Sequence, residues 1–178
     1  MLNPSFRFIS KTLMLVLFAL LVSGISVVSA QNSSRMAMEK NQAVLRNIYD
    51  KVFNTGKIEM LDQYIASTLQ EHDPSITSPG LQGVKQWYHS FHTAFPDAHF
   101  RVDNIITQGD WVVARVTVTG TQKGEYMGNP PTNKPFTMEV IDIVRIANGK
   151  IIEHWGEGDM LGMLHQLAWS GTPSLSAK

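Results

Sequence analysis

The chain has no cysteine, and that absence removes disulfides, thiolate-bound metal and a thiol nucleophile together. Charge is sparse and balanced, with 15 basic and 15 acidic residues among 178. Such a chain has no electrostatic footprint for nucleic acid or for an anionic membrane surface. It also lacks a phosphate-cradling glycine loop, a serine elbow and a His-Glu-x-x-His pair. Histidines and carboxylates are nowhere grouped as metal ligands, so no metal is expected. No internal repeat or low-complexity segment is visible.

What is present begins with an export signal. Arg7 and Lys11 flank the start of an apolar run over residues 12–22, and no acidic residue occurs in the first thirty. The run falls short of the roughly 20 apolar residues a spanning helix needs, and small residues Val28-Ser29-Ala30 follow it. This layout predicts a signal peptide over residues 1–30, cut after Ala30. The remaining 148 residues carry 13 basic and 15 acidic groups and suit one domain with a real core. Residues 31–38 read as a flexible leader, 39–168 as the domain, and 169–178 as a tail whose polar stretch from Ser170 is expected to be disordered. Export without disulfides fits a periplasmic or secreted protein with no membrane partner after cleavage.

Apolar residues recur at helical spacing from 39 to 54 (Val44, Leu45, Ile48, Tyr49, Val52), with Gly56 where a left-handed residue would close the helix. A shorter helix is predicted over 58–65, and Pro74 makes the segment Glu71-His72-Asp73 extended or turning. A third helix, over 83–95, sets Val84, Trp87, Tyr88, Phe91 and Phe95 on one stripe. Beyond Asp97 the period changes to 2, predicting strands over 98–107, 111–121, 136–146 and 151–155, with turns at Gly109-Asp110 and Asn148-Gly149. A helix over 160–167 comes last. Helices first and hairpin-connected strands after argue for an α+β fold, with helices packed on one curved, mostly antiparallel sheet.

The Asn148-Gly149 turn fixes a register. Counting outward pairs Ile146 with Ile151, Val144 with Glu153, Asp142 with Trp155, Val140 with Glu157, and Met138 with Asp159 if no bulge intervenes. One face then holds Phe136, Met138, Val140, Val144 and Trp155, interrupted by Asp142, Glu153, Glu157 and Asp159. A carboxylate enclosed there would have its pKa raised by desolvation and could shuttle protons. The opposite face carries Ile141, Ile143, Ile152, Arg145 and His154, and alternation alone leaves open which face is inward. Asp159 also immediately precedes the last helix, where an aspartate serves as N-cap. Asp142 has a structural alternative as the partner of Arg115 or Arg145. His72 sits where a side chain could reach a pocket mouth or stabilise a turn, while His89 and His92 read as surface residues.

Five segments together resemble a known family: Ala94-Phe95-Pro96-Asp97-Ala98, Gly109-Asp110 through Arg115, Gly124-Glu125 through Thr132, Asp142 through Arg145, and Asn148-Gly149-Lys150 through Trp155 with Asp159. Their order and spacing are similar to the SnoaL-like polyketide cyclases, or ester cyclases, over residues 39–167. The resemblance implies the cone-shaped nuclear transport factor 2-like fold around an apolar cavity, often as a homodimer. It implies cofactor-free ring closure by aldol condensation with an aspartate as acid and base, which by motif position is Asp159. Asp142, His72 and Trp155 would line the site, with Met138, Phe136, Trp87 and Phe91 contacting a small apolar ligand. The chain departs from the family pattern at Gln122, where relatives carry histidine, and at Asn133, where they carry glycine. A carrier or sensor of a hydrophobic ligand would need only the apolar lining, and a dimerisation module would need no cavity.

Overall fold

The computed structural model describes residues 11–169. The chain divides into two compact units, Met1–Ala37 and Met38–Lys178. The expected signal peptide begins outside the described residues, and from Lys11 its backbone forms the first part of helix α1 (Lys11–Asn47). The tail from Ser170 lies outside them as well.

In the second unit, Val44 and Leu45 at the end of α1 are buried. The chain then widens into a π-turn, Ile48–Val52, which buries Ile48, Tyr49 and Val52. A 3-10 turn over Phe53–Thr55 follows and ends on Gly56 at φ 72°, in the left-handed region that glycine enters without steric cost. Helix α2 (Leu61–Tyr64) leads into strand β1 (Ile65–Glu71), and helix α3 (Gly80–Ala94) buries Leu81, Val84, Tyr88, Phe91 and Ala94 on one side. Spacings of three and four residues put those side chains on a single helix face. Strands β2 (His99–Gln108), β3 (Trp111–Thr121), β4 (Pro135–Ala147) and β5 (Lys150–Gly158) and helix α4 (Met160–Leu167) complete the order.

The five strands form one open sheet in the order β1-β5-β4-β3-β2, with β1 parallel to β5 and the other pairs antiparallel. The α+β reading with a mostly antiparallel sheet holds, β1–β5 being the parallel pair. β1 is the strand that periodicity did not reveal. Its inward apolar residues, Ile65 and Leu69, stand four apart, a spacing a helix shares, and extra residues interrupt its register between Ile65 and Gln70.

The register counted from the Asn148-Gly149 turn holds for two pairs, Ala147 with Lys150 and Ile146 with Ile151, and then changes. Arg145 pairs with Glu153, leaving Ile152 as the extra residue of a β-bulge. From there outward Val144 faces His154, Ile143 faces Trp155, Asp142 faces Gly156 and Val140 faces Gly158. Because side chains alternate with period 2, this slip exchanges the whole inner face of β5. The expected pairs of Asp142 with Trp155 and of Val144 with Glu153 are thereby corrected.

The inner sheet face packs on the helices through an aromatic core. Phe91 contacts Phe95, Phe100, Tyr126 and Phe136 at ring-centroid distances of 4.8 to 6.5 Å. The loop between β3 and β4 is organised by Gln122, which is fully buried. Its Nε2 is shared among the carbonyls of Gly124, Asn129 and Pro130, and its Oε1 accepts from Thr132 Oγ1 at 2.9 Å and from Trp169 Nε1 at 3.0 Å. Gln122 is thus a structural hub of this loop. Asn133 takes φ 58°, the left-handed conformation it supplies in place of glycine. Trp169, assigned to the tail by sequence, belongs to the core at 8% exposure.

Candidate active site

A cavity of about 170 Å³ lies between the inner sheet face and the helices. Leu45, Ile48, Phe53, Val84, Trp87 and Phe91 line its helical side, and Val116, Val118, Met138, Val140 and Val144 line the sheet side. Trp87, Phe91 and Met138 therefore stand where the sequence reading puts them. At one end the lining turns polar, with Glu71, Asp73, Asp142, His154 and Tyr126.

That polar end is built by two strands and a turn. Glu71 ends β1 and points inward, while the next residue, His72, points to the other side as strand alternation requires. Asp142 on β4 and His154 on β5 sit on the same inner face because of the bulge at Ile152. The imidazole of His154 bridges two carboxylates: Nδ1 lies 2.8 and 3.0 Å from the two oxygens of Glu71, and Nε2 lies 3.5 Å from Asp142 Oδ1. Burial alone would lower the histidine's pKa, but the hydrogen bonds and charges of Asp142 and Glu71 outweigh it and lift it to about 10. Both ring nitrogens then carry hydrogens, and the residue is an imidazolium.

Asp73 completes the floor. Its backbone N–H donates to Glu71 Oε1 at 2.9 Å, and its Oδ1 accepts from Ser75 N and Ser75 Oγ, both at 2.7 Å. Gly156 leaves the room in which the carboxylates approach. A Cβ there would stand 2.5 Å from Asp73 Oδ2 and 3.2 Å from Asp142 Oδ1. Tyr126, 7% exposed, forms part of the adjoining wall. Burial, with a smaller contribution from the charge of Asp73, pushes its phenol up to about 12 against a hydrogen bond from Trp87.

Several sequence-derived site residues lie elsewhere. Trp155 is on the outer sheet face, stacked on His72 at 4.5 Å and 9° and 5.5 Å from the ring of Trp111. His72 is out there with it, its Nε2 3.2 Å from Glu153 Oε1. Glu153 also pairs with Arg145 at 2.7 Å, and that guanidinium holds its carboxyl below the usual range, opposite to the rise expected of an enclosed acid. Phe136 is buried against Phe95, a layer beneath the cavity wall. Asp159 is exposed and accepts the Gly162 N–H at 2.8 Å as N-cap of α4, and it is not among the lining residues. Of the three candidate acid-base residues, Asp142 alone enters the cavity.

A family model, SnoaL-like polyketide cyclase, matches residues 43–167. The chain belongs to the SnoaL-like polyketide cyclase family. It is 31% identical over 121 residues to the nogalonic acid methyl ester cyclase of Streptomyces nogalater, covering 65% of this chain and 88% of that protein. It is 29% identical over 123 residues to an aklanonic acid methyl ester cyclase of Streptomyces sp. strain C5, covering 66% and 75%. Among solved structures, IdmH from Streptomyces antibioticus superposes with a TM-score of 0.64 at 32% identity, over 72% of this chain and 98% of that one. The nuclear transport factor 2-like fold implied by the resemblance is the fold of this SnoaL-like chain.

Sequence reasoning missed Glu71, Asp73, Tyr126 and His154 as site residues. His154 was assigned to the opposite face by a register count without a bulge. Pro74 marks Glu71 and Asp73 as extended or turning, but no periodicity shows that β1 carries them to the cavity. Tyr126 sits in the irregular β3–β4 loop, where no periodicity exists to assign a face.

Proposed function

We propose that the protein is an exported, cofactor-independent acid–base enzyme, performing aldol-type cyclisation or isomerisation on a small, largely apolar carbonyl compound. The observation that carries this reading is the buried Glu71–His154–Asp142 arrangement, a fixed imidazolium between two carboxylates at the end of an otherwise apolar cavity. Such a floor offers proton acceptors and a donor beside a wall that binds hydrocarbon, and perturbed groups in a cleft are what proton-transfer chemistry requires. The volume supports a small occupant, since a cavity of about 150 Å³ accepts benzene. A larger ligand would place one ring inside and the rest at the mouth.

The test is proton exchange. Wild-type protein incubated in D₂O with single-ring ketones should accelerate deuterium uptake at the carbon next to the carbonyl, followed by NMR against heat-unfolded protein. Binding without acceleration would instead support the alternative reading, a non-catalytic carrier of a small hydrophobic ligand. The predominantly apolar lining is the observation that favours that alternative.

Export rests on the layout of residues 1–30. Mass spectrometry of the protein recovered outside the cytoplasm should give a chain that begins at Gln31, and a mass retaining residues 1–30 would replace export with tethering. The homodimer rests on the outer sheet face. There Ile106, Val113, Ile143 and Trp155 form one row across four strands, and Ile106 and Trp111 are 63% and 41% exposed. Light scattering should give twice the monomer mass, with Ile106→Glu reducing it.

A further inference from the structure

Of the acidic residues that line the cavity, Glu71, Asp73 and Asp142 stand together at its floor, and they are not equivalent. Glu71 is committed to the Asp73 N–H and to His154 Nδ1. Asp142 faces His154 Nε2. Asp73 spends only Oδ1, on Ser75. Its Oδ2 has no hydrogen-bond partner among the described residues, and it points into the space that Gly156 leaves open by having no side chain. Of the three, Asp73 alone makes no contact with the His154 ring, so its Oδ2 is the carboxylate oxygen not drawn towards a positive charge.

Tyr126 is its complement. Tyr126 and Trp87 line the same cavity wall, and the Tyr126 O–H has no acceptor among the described residues. The Tyr126 O–H is thereby left to donate elsewhere, and the residue lines the cavity that also holds Asp73. Burial keeps that proton on the oxygen, so the donor is present across the neutral range.

We propose that Asp73 is the proton-abstracting base of this cavity and that Tyr126 is the donor that holds the substrate oxygen. This deepens the acid–base reading above and rests on it. Asp73 Oδ2 takes the proton from a carbon next to the substrate carbonyl. The C–H bond breaks and its electron pair forms a C–C double bond, while the carbonyl electrons move onto oxygen. The resulting enolate oxygen accepts the Tyr126 hydrogen bond. The nucleophilic carbon then either attacks a second carbonyl, whose alkoxide recovers the proton from Asp73, or is itself reprotonated by Asp73 as an isomer. His154 keeps Glu71 and Asp142 occupied, so that they position the floor and leave Asp73 Oδ2 available.

Deuterium exchange into cyclohexanone, measured by NMR with binding measured in parallel, tests this. Asp73→Asn preserves the Oδ1 acceptor for Ser75, so the turn is kept; exchange should fall by about 10² or more with the cyclohexanone affinity little changed. Tyr126→Phe keeps the ring and should slow exchange by about 10² while binding persists. Thermal unfolding of each variant checks that the fold is intact. Exchange in wild type that persists in Asp73→Asn overturns this inference alone and leaves the acid–base reading standing. A wild-type protein that binds cyclohexanone and exchanges nothing overturns both.

Discussion

His154 stands opposite Val144 across the β4–β5 ladder. One extra residue, Ile152, sets that pairing, so His154 faces the cavity and Trp155 faces away, onto His72. Trp155→Ala is therefore expected to leave the affinity for cyclohexanone within about twofold. Met138→Ala removes lining contacts worth about 1 kcal/mol and should weaken binding about fivefold. Calorimetric titration of both variants reads the difference, and a larger loss in Trp155→Ala would mean that the inner face is assigned wrongly.

Stability should carry the signature of His154. Burial opposes its charge, but Asp142 and Glu71 lift its pKa from 6.5 to about 10 in the folded protein. A group whose pKa rises on folding binds its proton more tightly in the native state. Its contribution is therefore complete below about pH 6.5 and is lost as the pH climbs towards about 10. Urea denaturation at about pH 6, 8 and 10 should show wild-type stability falling across this window, with the fall much reduced in His154→Gln. An equal slope in the two proteins would show that His154 is neutral in the fold.

The regular parts of this fold were legible, and the site was legible only where regularity continued. Strand β3 and helix α4 match their sequence patterns end to end, because every second residue of Trp111–Thr121, from Val112 to Gly120, is buried and Met160–Leu167 follows an aspartate cap. That Met138, Val140, Asp142 and Val144 of β4 share a face was legible for the same reason, but not that this face lines the cavity. The rest depends on irregularity. A single bulged residue is invisible to a count of alternation, and it decided whether His154 or Trp155 met the ligand space. The parallel pairing of β1 with β5 joins residues more than eighty positions apart, and no local pattern announces it. Glu71 and Asp73 gain their place only through that pairing.

Gln122 offers a test of the loop that presents Tyr126. Fully buried, it serves three carbonyls, the Thr132 hydroxyl and the Trp169 indole. Gln122→Leu keeps the approximate volume and strands those groups, each at about 1 kcal/mol or more. A loss of about 3 kcal/mol is expected, which for a domain of this size lowers the melting temperature by roughly 10 °C. Restoring a histidine, as Gln122→His, should recover part of it, since an imidazole can still donate and accept. A Gln122→Leu protein that melts with wild type would show that the network contributes nothing.

Asp159 separates capping from chemistry, because the two roles respond differently to the same pair of substitutions. The carboxylate accepts the Gly162 N–H at 2.8 Å and is exposed, so Asp159→Ala should destabilise the domain by about 1 kcal/mol. Asp159→Asn should be nearly neutral, since asparagine caps about as well as aspartate. The family motif, in contrast, implies an acid–base role at this position, and asparagine would abolish that role while sparing the cap. Melting curves and ketone exchange rates for both variants therefore give two independent readings. If exchange survives in Asp159→Asn, the chemistry stays with the cavity floor. A loss of about 10² in that variant, with its stability unchanged, would return the proton-transfer role to Asp159 and require the start of α4 to rearrange when the ligand binds.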